Sequence, residues 1–403
     1  MYDLAALGAW IEFAVRWLHV ITAIAWIGSS FYFIALDLGL HRDRNLASGA
    51  DGEEWQVHGG GFYHIQKYLV APAGMPDGLI WHKWQSYWTW ISGFLLLVLV
   101  YYLGAEFYLI DPAVMDLAAW QAVAISMASL AFGWAVYHML CKVFVEADQT
   151  ILMVALFAVL VAMAWFYTQV FTGRAALLHL GAFTATIMSG NVFFVIIPNQ
   201  KIVVADLMAG RTPDAIYGKI AKQRSTHNNY LTLPVIFLML SNHYPLSFAS
   251  DWNWVIASLV FLMGVTIRHW FNTHHARKGN PHWTWGVTAL IFVAIVWLSV
   301  APSARQQEAQ VITRFAQAQG FEDVHAIVQG RCSMCHAAEP FWDGLYWAPK
   351  GVVLETQADL TRHARAVYLQ SGISHAMPPA NLSYMEDSER AAIVAWYKAA
   401  TSP

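Results

Sequence analysis

Residues 332–336 read Cys-Ser-Met-Cys-His, a run whose residue types and spacing suit haem chemistry. Two thiols separated by two residues can add to the two vinyl groups of one haem, and the adjacent His336 then places an imidazole under the iron. This is the pattern of c-type haem attachment. A stray or redox-active Cys-x-x-Cys pair is the alternative, but the adjacent histidine favours haem. The sequence therefore predicts one covalent haem c, bound by Cys332, Cys335 and His336.

The sixth iron ligand is predicted from the segment His375-Ala376-Met377-Pro378-Pro379. A methionine followed by prolines suits a soft axial donor, and His/Met ligation raises the iron potential. We therefore predict Met377 as the metal ligand opposite His336, with His375 as its competitor. A helix over 305–319 and a last helix that a Ser383–Glu386 capping box opens and that ends near Ala400 are expected around the motif. Together these residues resemble a class I cytochrome c domain.

The rest of the chain has the composition of a membrane protein. Of its 403 residues, 58% are apolar and 12% are charged, about half the usual charged fraction of soluble domains. The net charge of −3 gives no indication of a nucleic-acid partner. We predict an all-α fold, with a polytopic eight-helix transmembrane bundle at 1–301 and a cytochrome c-like domain at 302–403. The expected spans, at ~20 apolar residues each, are about 9–38, 82–103, 118–141, 150–171, 177–197, 230–249, 253–271 and 283–301.

Loop charges predict the orientation of these spans. Twelve lysines and arginines lie in the odd-numbered loops, whereas the even-numbered loops and the N-terminal tail hold only Arg174. Positive charge collects on the cytoplasmic side, so both termini are expected outside. No basic segment precedes the first span, so we expect no cleaved signal peptide. The predicted haem domain thus faces outward, and the lipid bilayer is the first expected partner.

Ionisable residues within spans are costly, and each is a functional hypothesis. They fall into two layers. The outer layer holds Glu12, Arg16, His19, His179 and His243; the inner layer holds His82, Lys83, His138, His227 and His269. Histidines on facing helices could bind haem b or copper, and such cofactors would carry electrons across ~30 Å of hydrocarbon. We predict His19, His138, His179 and His269 as cofactor ligands, with structural histidines as the alternative.

With these features in place, the chain resembles the bacterial integral-membrane urate oxidases (urate hydroxylases). The stretches that carry the resemblance are Arg-Trp-Leu-His-Val-Ile-Thr-Ala-Ile-Ala-Trp-Ile-Gly at 16–28, Trp-His-Lys-Trp-Gln-Ser-Tyr-Trp-Thr-Trp-Ile-Ser-Gly at 81–93, and Cys-Ser-Met-Cys-His at 332–336. The pattern His-x₆-Trp-x-Gly in the first span is also similar to that of the membrane protoporphyrinogen oxidases, which use a b-type haem. That second likeness supports His19 as a haem ligand.

The resemblance implies an oxidoreductase of purine catabolism. Urate would be oxidised to 5-hydroxyisourate with water as the oxygen source, and no hydrogen peroxide would form. Two electrons would pass through haem c to a terminal cytochrome c oxidase or a soluble acceptor. The protein would lie in the bacterial inner membrane, with its cytochrome domain in the periplasm.

The expected substrate is a planar anion that needs cationic donors, aromatic faces and a general base. Two groups of residues offer these. The inner group is His64, Lys67, Trp81, His82, Lys83, Arg224, His227, Asn228 and Asn229; the outer group is Glu12, Arg16, His19 and His179. We predict Arg16, His19, His82, Lys83 and His227 as catalytic residues, with the inner group favoured.

Two other functions stay open from the sequence alone. The chain could be an electron-transfer subunit that relays electrons from quinol or a partner protein to the cytochrome. It could also be a membrane oxidoreductase that handles haem or copper. A pure membrane anchor is disfavoured, because an anchor has no need of Arg16 or Lys83 within its spans.

Overall fold

The computed structural model describes residues 4–43, 45–68, 76, 78–144, 149–300 and 313–401. The chain divides into two compact units, Met1–Ala301 and Pro302–Pro403. Both units are mostly helical, in agreement with the helical fold class predicted from the apolar runs.

The first unit begins with a long helix and a β-hairpin, and continues with helices. Its elements are α1 Leu4–Gly39, β1 Ala50–His58, β2 Gly61–Tyr68, α2 Trp84–Leu96, α3 Ala105–Tyr108, α4 Ala119–Val143, α5 Gln149–Val170, α6 Gly173–Gly190, α7 Ile197–Met208, α8 Ala215–Leu240, α9 Asn253–His275 and α10 Trp283–Ser299. Two π-helical segments, Leu97–Tyr102 and Asn191–Ile196, extend α2 and join α6 to α7.

Five helical stretches among the described residues are long and apolar enough to span a membrane. They are Leu7–Gly39, Ala119–Val143, Gln149–Val170, Gly173–Met208 and Asn253–His275, and Trp283–Ser299 is a shorter apolar helix. Each of the eight predicted spans overlaps a helix, but the prediction of eight membrane spans stays a prediction. The segments around α2 and α8 are too polar or too short in their apolar part to qualify.

The predicted sixth span, 230–249, is wrong in its bounds. Helix α8 begins at Ala215, where the Asp214 side chain accepts a hydrogen bond from the Ile216 N–H, and it ends at Leu240. Residues Ser241–His243 form a single 3₁₀ turn instead. Hydropathy missed the first half of α8 because that half is polar, although Arg224, His227, Asn228 and Asn229 near its middle are buried.

The all-α prediction holds for most of the chain but did not include one feature, the antiparallel hairpin that β1 and β2 form. Gly59 and Gly60 connect the strands, both with positive φ, as a two-residue hairpin loop requires. Two glycines between short runs rich in aromatic residues are a hairpin signal that sequence reading could have used. His64 and Lys67, expected in a loop, lie on β2.

The core of the first unit is formed by α4, α5, α6, α8 and α9, and α6 is the most enclosed of them. Helices α4 and α6 approach closely at Gly190. A Cβ on Gly190 would lie 2.5 Å from Cε3 of Trp134 on α4. This close approach brings the next residue, Asn191, beside Tyr137 one turn further along α4.

The second unit contains α11 Phe321–Arg331, α12 Ser333–His336, α13 Gln357–Arg362, α14 Ala364–Val367, a π-helical segment Tyr368–Ile373 and α15 Asp387–Thr401. Its core joins the segment before α11 to α15. The Trp396 ring lies 5.4 Å from that of Phe315, and its Nε1–H donates to the Phe315 carbonyl at 3.1 Å. Arg331 holds Glu389 through two hydrogen bonds from Nε, at 2.9 and 3.0 Å.

Two expectations for this unit need comment. Most of the helix predicted over 305–319 lies outside the described residues, and within it 313–316 are helical. The Ser383–Glu386 capping box is wrong. Helix α15 begins at Asp387, and the Glu389 carboxylate accepts the Glu386 N–H at 2.7 Å. The Ser383 hydroxyl is buried without a hydrogen-bond partner among the described residues. A closer carboxylate, one turn further along, therefore takes the capping role.

Candidate functional site

A buried polar cluster, named the α8 cluster below, lies where α8 meets α4 and the π-helical segment after α6. Arg224, His227 and Asn228 share one face of α8, because residues three and four apart are neighbours on a helix. Tyr137 on α4 and Asn191, the first residue of the π segment, complete the cluster. All five side chains are buried. π-helical turns occur often at functional sites because they break the regular helical ladder.

Four hydrogen bonds connect the side chains of this cluster, and the donor and acceptor of each can be assigned. The Asn228 Nδ2 donates to the Met188 carbonyl at 3.0 Å, so its Oδ1 must be the atom facing Asn191. Asn191 Nδ2 donates to that Oδ1 at 2.9 Å and to Tyr137 Oη at 2.9 Å. Tyr137 Oη lies 2.9 Å from His227 Nδ1. A carbonyl can only accept hydrogen bonds, so the Met188 carbonyl sets the orientation of both amides.

The same direction assigns the tautomer of His227. Tyr137 Oη already accepts from Asn191, so its own proton goes to His227 Nδ1, the acceptor within reach. A neutral imidazole that accepts at Nδ1 carries its proton on Nε2. His227 Nε2 has no hydrogen-bond partner among the described residues. The geometry therefore makes His227 a free hydrogen-bond donor through Nε2–H.

Arg224 supplies positive charge to the cluster. Its guanidinium lies 4.9 Å from the centre of the Tyr137 ring, and NH1 makes a long contact of 3.5 Å to Asn191 Oδ1. Its Nε–H is buried and has no hydrogen-bond partner in the part of the chain that the structure describes. Within the described ranges, no carboxylate lies within ion-pair distance of Arg224. A buried, unpaired guanidinium is costly, and an anionic ligand would offset that cost.

The neighbouring Asn229 belongs to a second polar cluster on the other side of α8. Its Oδ1 accepts from Arg268 Nε at 3.3 Å and from Asn272 Nδ2 at 3.0 Å. Arg268, which is also buried, stacks 4.2 Å from the centre of the Phe31 ring. Because the two donors fix the amide, Asn229 Nδ2 faces away from them, and it is buried without a partner among the described residues.

Four residues of these clusters were missed by sequence reading: Tyr137, Asn191, Arg268 and Asn272. Asn191 and Arg268 lie inside predicted spans 177–197 and 253–271, and a buried amide or guanidinium in an apolar run was a usable signal. Tyr137 gave no such signal, because tyrosine is common in membrane helices.

His19 is held by α2. Its Nδ1 lies 3.0 Å from the Thr89 carbonyl and 3.1 Å from Ser92 Oγ, so Nδ1 carries the proton and Nε2 has a free lone pair. Gly93 leaves room for the ring, since a Cβ there would lie 2.8 Å from His19 Cε1. Metal-binding histidines are commonly oriented in this way through the other nitrogen. On the same helix, Arg16 forms a 2.5 Å ion pair with Glu12.

The other predicted cofactor histidines differ in their surroundings. His179 is fully buried, and both its nitrogens are engaged, Nδ1 with the Ala175 carbonyl at 2.8 Å and Nε2 with Ser126 Oγ at 2.9 Å. This arrangement favours a structural histidine. His138 is half-buried beside Trp134, and its Nδ1 has no partner. His269 is exposed near Trp283. No hydrogen bond or ring contact joins any two of these three.

The structure separates much of the predicted inner group from the α8 cluster. His82 is exposed with its ring edge against Phe33, and Lys83 lies over Trp84 at 5.4 Å. His64 Nε2 lies 2.7 Å from Glu53 Oε2 on the hairpin. Arg224, His227 and Asn228 are the members of the predicted inner group that the structure brings together.

Lys67 is paired with Asp37 of α1, which also lies 3.6 Å from Lys222 Nζ. Burial and the neighbouring Lys222 lower the pKa of the Lys67 ammonium. This pair ties β2 to the ends of α1 and α8, and it explains Lys67 without a substrate.

A cavity of about 520 Å³ lies beside the hairpin, lined by Tyr32, Gln56, Val57, His58 and Tyr63. No arginine or lysine lines it, so it suits an anion less well than the α8 cluster does. Among the described residues, no three or more His, Cys, Asp or Glu side chains are grouped to hold a metal ion. The described residues therefore do not fit a copper site built on three or more such ligands, and haem b stays a prediction.

The Cys-x-x-Cys-His run forms the short helix α12 and the residue before it. His336 Nδ1 lies 2.7 Å from the Val352 carbonyl, so this nitrogen carries the proton and Nε2 is left to act as a ligand. Both cysteines are free thiols. Burial raises the pKa of the Cys332 thiol to about 12 and also raises that of Cys335. Redox-active pairs need a lowered thiol pKa, so this environment disfavours the redox alternative.

The rest of the second unit is consistent with a haem site. The aromatic side chains that follow the motif are strongly exposed: Phe341 92%, Tyr346 86% and Trp347 73%. Apolar surface of this kind indicates a missing apolar partner. Met377 is half-buried, whereas the competing His375 is exposed. The donor set thus fits a haem c, and its presence stays a prediction.

The first unit is thus a helical unit with a buried cationic centre, whose five long apolar helices are compatible with a membrane protein, and the second is a small helical unit. A model of the urate oxidase N-terminal family matches residues 5–299. The chain therefore belongs to the urate oxidase N-terminal family. No curated protein and no solved structure matches the chain.

Proposed function

We propose that the chain is a membrane-bound urate oxidase (urate hydroxylase) that binds urate at the α8 cluster and passes its electrons to a covalent haem c. One observation carries the proposal: two donors on the same face of α8, Arg224 Nε–H and His227 Nε2–H, have no acceptor among the described residues, and the Arg224 Nε–H is fully buried. An unsatisfied buried polar group costs ~1–3 kcal/mol, so an acceptor-rich ligand would stabilise this helix.

Urate fits the donors in charge and in acceptors. It is a planar anion at neutral pH, with carbonyl oxygens and a ring nitrogen that accept hydrogen bonds. Arg224 supplies the positive charge, because no carboxylate among the described residues neutralises it. The family match supports urate as the oxidised compound. Arg16, His19, His82 and Lys83 stay predicted catalytic residues, and among the described residues no hydrogen bond, ion pair or ring contact joins them to the α8 cluster.

The proposed reaction is urate plus water giving 5-hydroxyisourate, two electrons and two protons. Oxygen comes from water, so no hydrogen peroxide forms. Arg224 binds the urate anion, and His227 Nε2–H donates to one of its acceptors. Tyr137 keeps His227 in this tautomer through its 2.9 Å hydrogen bond. When bound, haem c would supply a one-electron acceptor, and Cys332, Cys335, His336 and Met377 would be the residues that hold it.

The proposed location is the bacterial inner membrane, with the cytochrome unit in the periplasm. The five helices that can span a membrane support a membrane protein, and the loop charges support the orientation. The proposed final acceptor is a terminal cytochrome c oxidase or a soluble electron carrier.

The test is reduction of the bound haem by urate in the purified, oxidised full chain. We expect the reduced haem c α-band to appear without hydrogen peroxide. Arg224→Gln should lower kcat/KM about 10- to 100-fold, the equivalent of ~1.5–3 kcal/mol for a charged hydrogen bond. The matched control is Arg211→Gln, because Arg211 is exposed and paired with Asp206.

Three outcomes would count against the proposal. If a reduced quinol reduces the haem and urate does not, the chain is an electron relay. If Arg224→Gln and Arg211→Gln behave alike, urate is bound elsewhere. Release of hydrogen peroxide at the rate of urate loss would contradict water as the oxygen source.

A further inference from the structure

A buried arginine in the second unit holds the segment that carries Met377. Arg390 lies on α15 with its side chain buried. Its NH1 donates to the Ser371 and Met377 carbonyls, the latter at 2.9 Å, and its NH2 donates to Asn381 Oδ1 at 3.2 Å. The Arg390 guanidinium thus forms hydrogen bonds with the segment before, at and after Met377.

Asn381 extends these hydrogen bonds to Met385, at the end of the segment. Its Oδ1 accepts the Met385 N–H at 3.0 Å, and its Nδ2 donates to the Met385 carbonyl at 3.1 Å. Its amide orientation is fixed, because an arginine can only donate. Arg390 and Asn381 therefore connect α15 to both sides of Met377.

The backbone of this segment needs such support. His375, Ala380, Asn381 and Tyr384 all have positive φ, between 50° and 55°. Each non-glycine residue in that region costs energy, of order 1 kcal/mol or more, and persists where the surrounding structure holds it. Within the described residues, Arg390 makes no ion pair with a carboxylate. The oxygen atoms that accept its hydrogen bonds stabilise the Arg390 charge. The buried side chain therefore fixes this segment.

We infer that Arg390 is a positioning residue that keeps Met377 in place as the sixth iron ligand and thereby sets the haem potential. This rests on the haem c part of the proposed function. A thioether is a weak ligand, so it binds iron well only when its backbone is already in position. Without the guanidinium fork, the exposed His375 two residues earlier can compete for the iron. Exchange of methionine for histidine lowers the potential.

The experiment uses the full chain with its covalent haem and compares Arg390→Lys with Met377→Ala and the double variant. Lysine keeps the charge but loses the fork that reaches three acceptors. We expect Arg390→Lys to keep covalent haem, to lose the weak long-wavelength band of a methionine–ferric iron bond, and to shift the potential toward that of Met377→Ala. The double variant should match Met377→Ala, because Arg390 acts through Met377.

Arg314→Lys is the matched control, since Arg314 Nε donates to the Ala400 carbonyl at the far end of α15. It should keep the band and the potential. An Arg390→Lys variant with both unchanged would overturn the inference, as would an additive shift in the double variant.

Should Arg390→Lys fail to fold, Asn381→Ala removes one of the hydrogen bonds that Arg390 donates and should give a partial loss of the band. Unchanged ligation in Asn381→Ala, or loss of haem from both variants, overturns a positioning role. Wild-type protein without covalent haem would instead contradict the proposed function.

Discussion

Tyr137 Oη and His227 Nδ1 lie 2.9 Å apart in the core of the first unit, and the tyrosine is the donor. That direction follows from the Met188 carbonyl, which orients Asn228 and, through it, Asn191. A main-chain oxygen on α6 therefore decides which nitrogen of a histidine on α8 carries a proton. Under the proposed function, the relationship makes His227 a hydrogen-bond donor to urate, whereas its residue type alone suggested a general base.

Tyr137→Phe should separate this role from simple packing. The change removes the donor to His227 and the acceptor of Asn191, which frees His227 to take the other tautomer. We expect kcat/KM for urate to fall about tenfold or more, with covalent haem content unchanged. Steady-state haem reduction measures it.

Tyr167→Phe is the control for that experiment. Tyr167 is equally buried, and its hydroxyl bonds Ser129 Oγ at 2.7 Å, outside the α8 cluster. It should lose a similar amount of stability, ~1 kcal/mol, without the loss of urate turnover. Equal losses of turnover in the two variants would remove Tyr137 from the mechanism.

Gly93→Ala should displace His19. The added Cβ would meet the His19 ring at 2.8 Å, and the ring is also held by Thr89 and Ser92. We expect a loss of ~1–3 kcal/mol in the free energy of unfolding, seen as a lower melting temperature in detergent. Gly28→Ala on α1 is the control, because a Cβ there meets nothing within 4 Å. Equal melting temperatures for both variants would contradict the close packing of His19.

The Cys332 and Cys335 thiols should react slowly before haem is attached. Burial raises the pKa of both, that of Cys332 to about 12, so the reactive thiolate is scarce at pH 7. Alkylation of haem-free full chain by iodoacetamide should accelerate steadily as the pH rises above 9. A rate that is already at its plateau near pH 7 would indicate a redox-active pair instead.

Asp359 should make the second unit sensitive to acid. Burial alone would raise the pKa of this carboxyl, but hydrogen bonds from the Thr356 hydroxyl and N–H, with Arg362 nearby, hold the pKa below its usual value. The folded state therefore stabilises the ionised form of Asp359 more than the unfolded state does. This contribution is fully present above the unfolded pKa of about 4 and is lost as the pH falls through the lower folded value.

Asp359→Asn tests that contribution. It should cost the second unit ~1 kcal/mol at pH 7, and the difference from wild type should shrink as the pH falls below the unfolded pKa of about 4. Urea unfolding followed by haem absorbance measures it. Asp323→Asn, at an exposed site on α11, is the control. A difference that stays constant as the pH falls would show that the carboxylate charge is not the cause.

The sequence alone determined the features that depend on neighbouring residues. The Cys332–His336 run predicts haem attachment because its three reactive groups lie within five residues. Apolar runs predicted where helices lie, because a run of ~20 apolar residues can be recognised without knowing which other residues pack against it. The same reasoning placed α8 wrongly, because its first half is polar and the burial of Arg224, His227 and Asn228 depends on residues of other helices. It also overlooked the hairpin, whose Gly59–Gly60 turn is a local signal.

Only the tertiary structure decided which polar groups meet. Residue type gave two layers of histidines, but it could not show that His179 has both nitrogens engaged while His19 has one free. Nor could it orient His227, because that depends on four hydrogen bonds across three segments of chain. Hydrogen-bond direction is a property of the assembled network, so it has no counterpart in the order of residues.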